Sequence, residues 1–95
     1  MTHLTRTDIK QLARQATVDK HPQVVNGWSV YHVYISHRFG VSLWHTLRDR
    51  FGLLVVEVQG LDNFARLASK YMDREAPKTN WLAISREIEF SHLEN

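Results

Sequence analysis

The stretch Leu53-Leu54-Val55-Val56-Glu57-Val58-Gln59 decides the fold. It is short, rich in β-branched residues and closed by Gly60, and so reads as a strand. Leu54, Val56 and Val58 share one face and Leu53, Val55 and Glu57 the other. Apolar residues on both faces describe an interior strand and rule out a plain helical bundle. Glu57 needs water or a cation, because burying an unpaired carboxylate is costly; Arg66 and Arg86 are the candidates for pairing, and an exposed Glu is favoured over a catalytic acid.

Upstream, Ser42 reads as the cap of a helix that ends at Gly52, where a left-handed residue belongs. Leu43, Trp44, Leu47 and Phe51 would form its apolar face, and His45, Arg48, Asp49 and Arg50 its polar face. Further upstream, Asn26-Gly27 between apolar residues is a strong hairpin signal. Trp28–Ser36 then reads as a second strand, with a helix capped by Asn26 and closed by Gly40 as the rival. The short arm before the turn starts at Pro22, which suits an edge. If the strands near 28–36 and 53–59 pair, the helix between them makes a right-handed crossover.

The outer parts read as helical. Thr5 and Asp8 have capping-box spacing, and Leu4 with Ile9 that of a hydrophobic staple. Ile9, Leu12, Ala13 and Ala16 continue one stripe, which should end before Pro22. Downstream, Asp62 reads as the cap of a helix carrying Phe64, Leu67, Ala68 and Tyr71 and running to about Glu75. From Thr79 onward Trp81, Leu82, Ser85 and Ile88 favour a helix, although Ile84, Ile88 and Phe90 also alternate like a strand. The expectation is a single globular domain over residues 1–95 in the α/β or α+β class. A short sheet, with strands near 28–36 and 53–59, would pack with three to four helices.

Composition narrows the function classes. The chain has 95 residues, no Cys and a formal charge of +2. A disulfide framework and a thiolate zinc site are excluded. With no signal-like start and no apolar run of membrane length, the expected location is cytoplasmic, with no membrane partner. Residues 1–27 and 28–61 are net basic and residues 62–95 net acidic, so only the first two-thirds could face a polyanion.

Six His (3, 21, 32, 37, 45 and 92) lack the spacing of a metal site, so no metal and no cofactor is expected. His37 and His45 with Arg48 would suit phosphodiester cleavage if they converged, a His base beside an Arg clamp, as in a small ribonuclease toxin. Scattered imidazoles are the simpler reading. Arg38, Arg48 and Arg50, with Trp28, Tyr31 and Tyr34 and the first-helix cations Arg6, Lys10 and Arg14, could hold nucleic acid. Core packing of the aromatics is favoured over that platform. Glu87, Glu89, Phe90 and Leu93 could dock another protein. The favoured function is a small non-enzymatic binding protein, an adaptor or an inhibitor that occupies a macromolecular partner's surface. A homodimer is compatible with it. A nucleic-acid-binding regulator and the ribonuclease are the alternatives.

Overall fold

A computed structural model describes residues 4–79 and the backbone of Glu89–Phe90. The elements run α1 (Arg6–Asp19), β1 (Gln23–Val25), β2 (Trp28–His37), β3 (Gly40–Arg48), β4 (Leu54–Val58), α2 (Leu61–Met72) and β5 (Glu89–Phe90). The sheet order follows the chain, β1-β2-β3-β4-β5. The first four strands are antiparallel, and β5 joins β4 in parallel. The domain is α+β, with both described helices on one face of the sheet.

The ends of α1 follow from local chemistry. The Thr5 side chain accepts from the Asp8 N–H (3.1 Å) and the Asp8 carboxylate accepts from the Thr5 N–H (2.9 Å). The Thr5 N–H first, and the Thr5 hydroxyl second, hold the Asp8 carboxyl below its ordinary pKa. Lys20 closes the helix in the left-handed region, and Pro22 follows. Asn26 and Gly27, both at positive φ, form the two-residue β1–β2 turn.

Four expectations are corrected. Two described helices replace the three to four expected, because Ser42–Gly52 is not a helix: residues 40–48 form β3. Leu43 and Leu47 are four apart and fit a helix. The same run also alternates, with Val41, Leu43, His45 and Leu47 on one face and Ser42, Trp44 and Thr46 on the other. Pairing with β2 along nine residue pairs settles the choice. There is therefore no crossover, since β3 lies between β2 and β4. Asp62 is not a cap; it sits inside the first turn of α2, after Gly60. There it forms an ion pair with Lys10 of α1 that lowers its carboxyl pKa. α2 ends at Met72, short of Glu75. The helix expected after Thr79 lies outside the described residues, except Glu89–Phe90, whose backbone is a strand.

Ile9, Ala13 and Ala16 of α1 and Phe64, Ala65, Leu67, Ala68 and Met72 of α2 are buried. They face Trp28, Val30, Leu47, Val56 and Val58 of the sheet. Each large apolar side chain so buried contributes roughly 1.5–3 kcal/mol. In β4 the pairs Leu47↔Val56 and Arg48↔Leu54 leave Val55 as an extra residue. This bulge explains why the consecutive Val55 and Val56 are both in the core. Residues 73–77 are tied to the first hairpin. Trp28 Nε1 donates to the Arg74 carbonyl (2.8 Å), and Ala76 N–H to the Asn26 carbonyl (2.8 Å).

Candidate interaction surface on the second hairpin

The register of β2 on β3 carries two different environments. Val30↔Leu47 lies under the helices; Tyr34↔Leu43 and Ser36↔Val41 lie on the same face, further out. Both α1 and α2 pack near the root, so the hairpin projects beyond them as an arm. Tyr34 is 62% exposed, Val41 62% and the turn residue Phe39 87%. The Arg38 guanidinium stands over the Phe39 ring, 5.9 Å from its centroid, within cation–π range.

The turn is well ordered by its own bonds. His37 Nδ1 accepts from the Phe39 N–H (3.2 Å), and the Nε2 side of the ring meets Ser42 Oγ at 2.7 Å. Accepting at Nδ1 requires the tautomer protonated on Nε2, which then donates to Ser42. Both ring nitrogens of His37 are engaged in closing the turn.

His32 and His45 mark the border between root and arm. They are cross-strand partners and both are buried. Neither Nδ1 has a hydrogen-bond partner among the described residues. His45 packs against Phe64, with ring centroids 5.7 Å apart. Burial lowers the pKa of both imidazoles, and His32 lowers that of His45 further by charge repulsion.

The candidate nuclease residues are not brought together. His37 is at the exposed turn and His45 is buried mid-strand. Arg48 is at the far end of β3, roughly 3.3 Å per residue and so about 26 Å from Gly40. Its Nη1 donates to the Gly52 carbonyl (2.7 Å). Among the described residues no three metal-ligating side chains form a cluster. Among the described residues, one groove lies between α1 and β1 and another beside Trp28 and Tyr71. Neither is lined by an imidazole.

The candidate nucleic-acid residues are equally dispersed. Arg38 is at the tip of the arm and Arg48 at its root. Arg50 is held over Gly27, bonded to the Ala76 carbonyl (3.0 Å) and paired with Glu75 (3.0 Å). Lys10 is paired with Asp62, and Arg14 reaches Gln11. Of the three aromatics, Trp28 is in the core and packs edge-on against Tyr71. The Tyr31 hydroxyl meets the Lys20 carbonyl at 3.5 Å. Tyr34 alone of the three is largely exposed. Glu87 and Leu93, and the side chains of Glu89 and Phe90, lie outside the described residues.

Sequence reading missed Phe39 and Val41. The available signal was the partial alternation of Val41, Leu43 and Leu47, which also fits a strand and would then make Arg38-Phe39 a hairpin turn. No family model matches the chain, and neither a curated protein nor a solved structure does. No described helix is long and apolar enough to cross a membrane.

Proposed function

We propose that the chain is a small non-enzymatic binding protein, an adaptor or an inhibitor, that occupies a partner protein's surface with the tip of the β2–β3 arm. The observation that carries this reading is the apolar group at the tip. Phe39 and Val41 are 87% and 62% exposed on a turn held by the His37 bonds. An aromatic beside an Arg, on a preordered turn, is the composition of an interface anchor. The complementary partner surface is an apolar pocket with acidic groups at its rim, facing Arg38.

The test is affinity capture from the native host with the wild-type chain and with Phe39→Ser/Val41→Ser, after both are shown to fold. A protein retained by the wild type and lost by the variant supports the reading. Capture of nucleic acid alone, or equal retention of the same protein by the variant, rejects it.

A further inference from the structure

We infer that the outer edge of β2 is a self-association site, where a second copy of this chain pairs with it antiparallel about a two-fold axis at Tyr34. The two-residue turns set the direction of each peptide group. Val25↔Trp28 and His37↔Gly40 close their hairpins and are the bonded pairs. Trp28 and Val30 therefore bond toward β1, and Ser29, Tyr31, Val33, Ile35 and His37 toward β3. β1 pairs with β2 only as far as Val30, and its chain leaves toward α1 at Pro22. The N–H and C=O groups of His32, Tyr34 and Ser36 then point outward, with no described strand beside them.

An unpaired edge of this kind is a template for another strand unless it is blunted by charge, Pro or a bulge. None of these is present here. No Asp, Glu, Lys or Arg occurs from His21 to His37, and the β2–β3 register is unbroken. The edge also matches itself. With Tyr34 opposite the second copy's Tyr34, each His32 faces the other copy's Ser36. All three outward N–H and all three outward C=O groups of each copy are then satisfied. Val33 meets Ile35 on the far face, and no like charges oppose one another. Tyr34, 62% exposed in one copy, becomes the centre of the contact. A two-fold closes the assembly at two copies. The bonds across the two-fold come from His32, Tyr34 and Ser36 and none from Phe39 or Val41, so the tip contact proposed above is tested by separate variants.

Sedimentation across a concentration series tests the pairing. The wild type should pass from the 11.1 kDa of one chain to twice that mass. Tyr34→Pro should stay monomeric and folded, since the lost N–H points outward and Pro is tolerated at such an edge. Cross-linking covers the case in which that variant fails to fold. The chain has no Cys, and bonded antiparallel partners are about 5.5 Å apart at Cα, within disulfide reach. Tyr34→Cys should therefore oxidise to a covalent dimer, whereas Phe39→Cys should not, because the two tips point apart. A wild type that stays monomeric throughout, open-ended oligomers, or cross-linking through Phe39→Cys in place of Tyr34→Cys would overturn the inference.

Discussion

The root and the tip of the β2–β3 hairpin share strands, register and apolar composition, yet have opposite environments. At the root, Trp28, Val30 and Leu47 are buried beneath Ile9 and Phe64. At the tip, Tyr34, Phe39 and Val41 face solvent. The pleat decides only which face a residue takes. Whether that face is covered depends on how far two helices of 14 and 12 residues reach across the sheet. Apolar alternation thus builds a core in one half of the hairpin and leaves a contact surface in the other.

The sharpest way to break this contrast is a matched pair of truncations. Phe64→Ala should cost about 3–5 kcal/mol in urea unfolding, the range for emptying a buried aromatic site. Phe39→Ala should fall within about 0.5 kcal/mol of wild type, as for other exposed positions. Similar losses at both positions would mean that the arm is packed.

The two turns give the next test. At the root end, the buried Asp49 carboxylate accepts from the N–H groups of Phe51 and Leu53, both at 2.9 Å. Asp49→Ala should destabilise by roughly 1–3 kcal/mol, because buried donors lose their acceptor. His37→Ala removes bonds of comparable number from an exposed turn, where water replaces them, and should cost about 0.5 kcal/mol or less. Thermal unfolding of both variants makes the comparison.

The smallest effect concerns the border. His32 and His45 have folded pKa values below the ordinary 6.5. The unfolded chain therefore binds protons that the fold resists. Their contribution is complete above about pH 6.5 and is lost as pH falls through the lowered folded values. Urea midpoints should drop on acidification through this window, and His45→Phe should flatten the drop. An unchanged slope would place the effect elsewhere.

Much of the root was legible in the chain. The Thr5/Asp8 box, the Asn26-Gly27 turn and the β-branched run at 54–58 each carry a local signal, and each element formed. The run from Val41 to Leu47 was not legible, because its spacing fits both periods and pairing with β2 decides between them. The bulge at Val55 is equally non-local, since it exists only relative to Leu47 and Arg48. The placement of the candidate site residues was hidden for the same reason. His45 and Arg48 share a face of the expected helix with His37 just before it, whereas β3 spaces His45 and Arg48 along a strand and His37 ends β2 at the turn. Exposure of Tyr34 and Val41 depends on where the helices stop, which no window of sequence contains.

Hydrogen exchange within the β2–β3 ladder tests the root–tip division most directly. The Ser29 and Ile35 amides both bond to β3, one under the helices and one on the arm. At a concentration where the chain is monomeric, Ser29 should exchange only through global unfolding, and Ile35 through local opening at a markedly lower free energy. Equal protection of the two amides would contradict the division, and with it the claim that the arm is free to bind.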